Sequence, residues 1–552
     1  MKTTTHASGS TSAPATPRKF TSNVKSDAID VSIDPQNEVT GVKLLLIHVG
    51  ICICTFLIGL DFNIIATAVP IITSRFDSLG HVGWYGSAFY MTLCASQPLA
   101  GKTYTLFPKK KNYLIYLSIF ELGSLLCGLA PSSRDLIAGR AIAGFGASGV
   151  FAGGFVILTT IIPLHKRAIY TATMSSTFAV ASIVGPVLGG GLTQHASWRW
   201  CFYINLPIGG LAASVFLLVF HVKPASTEDA KLTDKLKGLD AIGFMLFASA
   251  ITMLLLALQW GGGLGHQWSS SLVIGLFVGF GLFLILFIGW QRYMQDNALI
   301  PPKLFDNRNV WLICTSSFFV NGPFQTIVYW LPIWFQAVQG VSPTRSGIHY
   351  LPTVISDVLA SFIGAGIVMK LGIWNPFLLF AEAMVCIGAG LLTTLSPNTP
   401  DSKWIGYQIF GGIGYSLASN LAHLGMQASL PMDLVPLGAT NLLMIISTSC
   451  AIFLAIGQAV FEERLAINLS KVVDLEVVQQ ALAVGATQVR GVVSVVDLAP
   501  VLQEYSNSVI QVFYIPAVAP AISFALVAFC KWTSVKRPEG KVGELDEKFE
   551  QV

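Results

Sequence analysis

The chain has 552 residues, of which 53% are hydrophobic and 11% charged, with a formal net charge of +4. A soluble domain carries about 25% charged residues, so too few polar groups remain here to clothe a water-facing surface. A mean hydropathy of +0.65 and recurrent apolar runs of about 20 residues exclude a soluble globular protein and predict an all-α polytopic membrane protein.

Residues 1–42 are polar and rich in Ser, Thr and Pro ("TTTHASGSTSAPATPRK"), too hydrophilic for a signal peptide, and read as a disordered tail. Six apolar spans follow at 43–69, 82–106, 113–131, 135–162, 168–194 and 202–222. Two more lie at 239–259 and 271–291, and a last six at 310–338, 349–370, 375–396, 403–430, 438–461 and 509–531. That makes fourteen transmembrane helices, several long enough to require tilt. A loop at 462–508 separates the last two, and residues 532–552 form a second polar tail.

Lys and Arg set the orientation. With the N-terminus inside, the inner loops hold thirteen basic residues, among them Lys109, Lys110 and Lys111, and the outer short loops hold five. The positive-inside rule therefore places both termini in the cytoplasm. The sequon "NLS" at Asn468 falls in the long loop that this topology puts outside, where it is a glycosylation acceptor.

Charges inside spans are informative, because each costs at least about 2.5–3.5 kcal/mol at the membrane centre unless paired or hydrated. Asp61 lies in the first span and Arg140 in the fourth. By rise per residue they sit about 12 Å and about 8 Å below the outer ends of their helices. An ion pair or proton-exchange pair is geometrically allowed; the alternative is a structural pair that only orients helices. Glu121, Asp357, Glu382 and His423 are further polar positions, either functional or simply paired and solvated. In the fifth span, "ASIVGPVLGGG" sets Gly185, Pro186, Gly189 and Gly190 in a helix interior. Pro186 cannot donate to the Ser182 carbonyl, so a bend is expected; Gly185 and Gly189 share a face that lets a neighbouring helix approach closely.

Enzymatic signatures are missing. The chain has no G-x-x-x-x-G-K-[ST] phosphate cradle, no H-E-x-x-H, no G-x-S-x-G and no metal-spaced cysteines. The nine cysteines are scattered through apolar runs. Single polar residues spread over many spans suit a transport pathway better than an active site. The expectation is no enzyme, no cofactor, no metal and no nucleic-acid partner.

Several stretches together resemble the major facilitator superfamily, and within it the fourteen-helix drug:proton antiporters of fungal type. They are "LDFNIIATAVP" around Asp61, "GKTYTLFPKKK" with Gly101, Lys109 and Lys110, "LIAGRAIAGFGASG" around Arg140, and "GPVLGG" followed by "WRWCFYINLPIG". "YWLPIWFQAVQGVSPTRSGIHYLP", "GYQIFGGIG" and "AIGQAVF" extend the likeness through the second half. Thr105 and Pro108 replace the acid and glycine usual in the loop motif, Ala143 stands where a glutamine is common, and Asn420, Leu421 and Ala422 replace a Gln-x-Pro.

The resemblance implies two six-helix bundles, 43–222 and 310–531, with 223–309 carrying two inserted helices. It implies a monomer that exports a drug, toxin or other secondary metabolite by proton antiport, through alternating access around a central cavity. Asp61 and Arg140 would couple protons. Phe324, Gln325, Tyr329, Trp330, Gln408 and Asn420 would join the polar positions above around an amphiphilic cavity. The plasma membrane is the expected site, with a vacuolar or vesicle membrane the alternative. A proton-coupled importer of the same fold and a solute-binding membrane protein without transport are the rival readings.

Overall fold

The computed structural model describes residues 39–76, 82–220, 235, 238–261, 266–431, 434–474, 478 and 497–534. The expected tails at 1–38 and 535–552, and the part of the long loop at 479–496, lie outside the described residues.

Among the described residues the chain forms fourteen long helices. The first six are α1 (Gly41–Phe76), α2 (Val82–Leu106), α3 (Lys109–Leu129), α4 (Ser133–Ile161), α5 (Leu164–His195) and α6 (Trp200–Val219), the last stepping at Ile204. The middle pair is α7 (Ala241–Trp260) and α8 (Ser271–Met294). The final six are α9 (Arg308–Val338), α10 (Pro343–Leu371), α11 (Asn375–Leu392), α12 (Asp401–Ser429), α13 (Val435–Leu469) and α14 (Leu498–Ala528).

Ten of these are long and apolar enough to cross a membrane as they stand, and eleven if the bent α5 counts as one span. The exceptions, α2, α9 and α12, carry polar side chains on faces packed inside the protein, such as Gln97, Asn321 and Gln408. In contrast α8, whose apolar window is only 11% buried, spends its apolar surface outward on lipid.

Helix ends show where hydropathy misleads. The last two helices reach well beyond the spans expected at 438–461 and 509–531. Their extensions carry Glu462, Glu463, Arg464 and Glu504, which suit a helix outside the hydrocarbon but end a hydropathy window early.

Packing divides the helices into two groups. Within the first, α1 lies on α5 and α6, and α4 on α2 and α3. Within the second, α9 lies on α13 and α14, and α12 on α10 and α11. The groups meet through α2 with α13 and α5 with α10, while α7 and α8 pair and α7 leans on α2 and α13. Along α1 and α5, Gly185 stands where an added Cβ would come 2.8 Å from Asn63 Cβ and 3.2 Å from the Ile64 nitrogen. α5 bends by 41° between Ser182 and Val187, the stretch holding Pro186.

Side-chain contacts joining the groups run from mid-depth to the end of the molecule that carries residues 39 and 534, the terminal end. There Gly101 of α2 abuts Thr440 of α13, with no room for a Cβ. Arg167 Nη1 donates to Gln427 Oε1 at 3.4 Å, Ser361 Oγ to the Ala172 carbonyl at 3.5 Å, and Phe155 stacks on His423 at 4.4 Å. The molecule is closed across this end.

The inserted pair is fastened at the same end. Asp240, 4% exposed and held at φ 49°, caps α7 by accepting from Gly243 N at 2.9 Å. It also accepts from Trp290 Nε1 at 2.7 Å, Gln291 Nε2 at 3.0 Å and Leu299 N at 2.8 Å. One carboxylate thus ties α7, α8 and the segment after it. From that segment the Ala298 carbonyl accepts from Lys102 Nζ of α2 at 2.9 Å.

Candidate functional site

Five helices bring polar groups to one buried point in the first group. α1 buries Asp61 and α4 buries Arg140, both at 0% exposure. Arg140 Nη1 bonds Asp61 Oδ2 in an ion pair, and Arg140 Nε donates to the Tyr85 carbonyl at 2.8 Å. The guanidinium also lies over the Phe89 ring, 4.5 Å from its centre. Asn205 of α6 completes the shell: its Nδ2 lies 3.2 Å from Asp61 Oδ1 and 3.1 Å from Ser124 Oγ of α3. The two charges that the sequence put at similar depth therefore meet. Asn205 was missed as a site residue, although it is a lone amide in the quoted "WRWCFYINLPIG".

Such a pair is a poor stability device, because desolvating two ions costs about as much as their attraction returns, but removing one partner strands the other. It does make a two-position element. Protonating Asp61 would cancel the charge that holds Arg140.

The remaining expected residues scatter. Glu121 does not face a central cavity; it lies between α3 and α6 with its carboxyl against Gly209. Glu382, 1% exposed on α11, is within reach of Ser523 on α14. Gln408 acts as a clamp, accepting from Thr353 Oγ1 and donating to the His349 carbonyl, both at 2.9 Å. Asn420 ties α12 to α10 through Ser361 Oγ at 2.7 Å. Of the fifth-span glycines, Gly185 is the close approach described above. Gly189 is buried and its carbonyl takes the Thr193 hydroxyl, and Gly190 has open space beside it. In the loop motif, Lys110 Nζ reaches the Leu217 carbonyl at 2.8 Å, and Lys109 is also engaged.

Asn468 sits in the last turn of α13, not in a loop. It is 4% exposed, with Nδ2 on Ser508 Oγ at 3.0 Å and Oδ1 taking Lys471 Nζ at 2.9 Å. The folded geometry does not present this amide to a sugar-transferring enzyme.

At mid-depth the two groups share a cluster of rings. Phe62 of α1 meets Tyr90 of α2 edge-on at 4.4 Å, and Phe324 of α9 stacks on Tyr415 of α12 at 4.0 Å. Tyr90 and Tyr415 are within electrostatic reach of each other, and Tyr415 of Asp357 on α10. Gln325, next to Phe324 in the chain, is half-buried, and Tyr329, 46% exposed, meets the buried Trp330 edge-on at 5.4 Å.

The profile described as Major Facilitator Superfamily matches residues 51–458. The chain belongs to the major facilitator superfamily. Its curated relatives include Efflux pump bfoC of Aspergillus brasiliensis, 41% identical over 502 residues covering 91% of this chain and 89% of that one. Efflux pump mlcE of Penicillium citrinum is 40% identical over 529 residues (94% and 96% covered), and Efflux pump roqT of Penicillium rubens 38% over 522 (95% and 96%). Among solved structures, the proton:xylose symporter XylE overlays with a TM-score of 0.57 at 12% identity, covering 89% of this chain and 97% of that one. The human organic anion transporter MFSD10 (TETRAN) gives 0.53 at 11%, covering 86% and 100%; at such identities the likeness concerns the fold. As a superfamily member this multi-pass membrane protein is a transporter and not an enzyme.

Proposed function

We propose that this transporter exports a small organic compound in exchange for protons, alternating access between the α1–α6 and α9–α14 groups. The observation that carries the reading is the sealed Asp61–Arg140 pair with Asn205 on the carboxylate. It is an intramembrane acid with a built counter-ion, inside a chain whose relatives at about 40% identity are named efflux pumps. In one orientation of the groups Asp61 is ionised and held by Arg140; when water reaches the site, protonation frees the arginine and lowers the cost of the opposite orientation.

The Lys and Arg bias supports termini in the cytoplasm. The terminal-end contacts then close the protein toward the cytoplasm, as the outward-facing half of the cycle requires. The plasma membrane is the compartment this reading favours. The Phe62, Tyr90, Phe324 and Tyr415 rings fit an amphiphilic, ring-containing substrate.

The test is transport in sealed vesicles carrying the purified protein and an imposed pH gradient, followed with a lipophilic fluorescent dye. Wild type should drive dye against its gradient as protons flow the other way, and Asp61→Asn should lose that drive at equal abundance in the membrane. Wild-type flux from Asp61→Asn would overturn the role of Asp61, and dye movement in the same direction as protons would establish an importer.

A further inference from the structure

Two helix faces meet beside Asp61 with a regular spacing. On α3, Glu121 and Ser124 are three residues apart and share a face; on α6, Asn205 and Gly209 are four apart and do likewise. The faces cross as two rungs. In one, Asn205 Nδ2 bridges Ser124 Oγ at 3.1 Å and Asp61 Oδ1 at 3.2 Å. In the next, the Glu121 carboxyl fills the space over Gly209, where any Cβ would overlap Oε1. The missing side chain at residue 209 makes the slot for the acid, one helical turn from the shell of Asp61.

We propose that Glu121 is a second proton-binding residue of the transport cycle, and that in this conformation it holds the proton. The proposal rests on the reading of Asp61 as a proton-coupling residue.

Two counts support it. The first is charge. From α1 Glu121 is faced by Asp61 and the Cys54 thiol, and Arg140 of α4 lies on the other side of Asp61, paired with it. From α6 it meets Gly209, with Cys201 and Tyr203 nearer the start of that helix, and its own helix adds Cys127. Among these groups two are carboxyls and one is a guanidinium, so a dry cluster is neutral only if one acid is protonated. Asp61 is committed to Arg140, which leaves Glu121. The second count is hydrogen bonds. Both Glu121 oxygens and Asn205 Oδ1 are buried acceptors with no donor, while Arg140 Nη2 is a buried donor with no acceptor. An unpaired buried carboxylate is far costlier than an unpaired buried carboxylic acid, and the acid adds a donor where three unmatched acceptor atoms stand against one donor atom.

The step balances. The Glu121 acid gives its proton to the Asp61 carboxylate, leaving a Glu121 carboxylate and an Asp61 acid. Arg140 then loses its anion at Asp61 and gains one at Glu121. Net charge in the dry region is unchanged, so the proton advances between α1 and α3 without a charged intermediate in the bilayer.

Infrared difference spectra of the purified full chain in lipid nanodiscs, titrated with pH, read the protonated carboxyl directly. Wild type should show its carbonyl band at neutral pH, and Glu121→Gln should remove it. Asp61→Asn should remove it too, because Arg140 then becomes the counter-ion of an ionised Glu121. Because the buried Glu382 can contribute to the same region in every variant, the reading is the difference from wild type: a Glu121→Gln spectrum that keeps the full wild-type band places the proton elsewhere and overturns the proposal, and so does a band unmoved by Asp61→Asn. In gradient-loaded vesicles Glu121→Gln should lose the dependence of efflux on the pH gradient, whereas Glu121→Asp keeps it; wild-type dependence in Glu121→Gln would also overturn the assignment. Should Glu121→Gln fail to fold, Gly209→Ala keeps the acid but displaces it from its slot, and the band should then titrate at lower pH; an unshifted titration counts against the proposal. If wild type itself shows no gradient-driven flux, the antiport reading fails, while the band still decides the proton on Glu121.

Discussion

Asp61 is fully buried, and Arg140 and Asn205 supply the contacts that solvent would make to an exposed carboxylate. Asn205 is the more informative of the two partners, since its one amide group serves Asp61 and Ser124 together. Asn205→Ala should cost about 1.5–3 kcal/mol, the range for a hydrogen bond to a charged group, read from thermal unfolding in nanodiscs. Asn205→Asp should be worse, because it adds a third acid to a cluster with one cation; wild-type stability in Asn205→Ala would show that Asp61 does not depend on that donor. Steric fit makes a second residue-scale prediction. Gly185→Leu sets a branched side chain where even a Cβ lies 2.8 Å from Asn63, and overpacking of this kind costs about 1–3 kcal/mol. Efflux should fall or lose its coupling to protons, and unchanged coupled transport would reduce Gly185 to filler.

At the scale of elements, hydropathy found helices wherever surface meets lipid and was blind to what a helix does inside. The segments of α2, α9 and α12 were legible only because they are long; their polar inner faces keep them below a strict membrane criterion. The same blindness cut α13 and α14 short and left Asn468 in a supposed loop, although its amide is spent on Ser508 and Lys471. Asp240 gave no signal in the sequence, since one acid before an apolar run looks like an ordinary cap. In the fold it takes four donors and anchors the inserted pair to the segment that Lys102 holds. Asp240→Ala leaves those donors without an acceptor and should destabilise the protein by about 3 kcal/mol or more. A melting temperature equal to wild type would mean that the α7–α8 pair is held by packing alone.

For the whole molecule, transport requires the two groups to part at the terminal end, where they now touch. Ala172 and Ser361 face each other there across α5 and α10. In a background lacking the nine native cysteines, Ala172→Cys with Ser361→Cys should cross-link on oxidation and stop efflux, and a reductant should restore it. Undiminished efflux from the cross-linked protein would show that α5 and α10 do not separate during transport.

What the sequence determined by itself is the class and the ingredients: fourteen helical segments, a membrane setting, a superfamily resemblance, and Asp61 and Arg140 at similar depth. These follow from local quantities, since hydropathy, rise per residue and charge can be summed along a chain. Only the tertiary structure decided which polar groups meet. Glu121, Glu382, Gln408 and Asn420 are alike in sequence as lone polar residues in apolar spans, yet Glu121 faces the shell of Asp61, Gln408 and Asn420 fasten α12 to α10, and Glu382 is buried near Ser523 of α14. Helix rotation and pairing make that difference, and both depend on how distant segments such as α3 and α6 pack. A bilayer enforces the outcome, because a polar group that finds no partner there finds no water either.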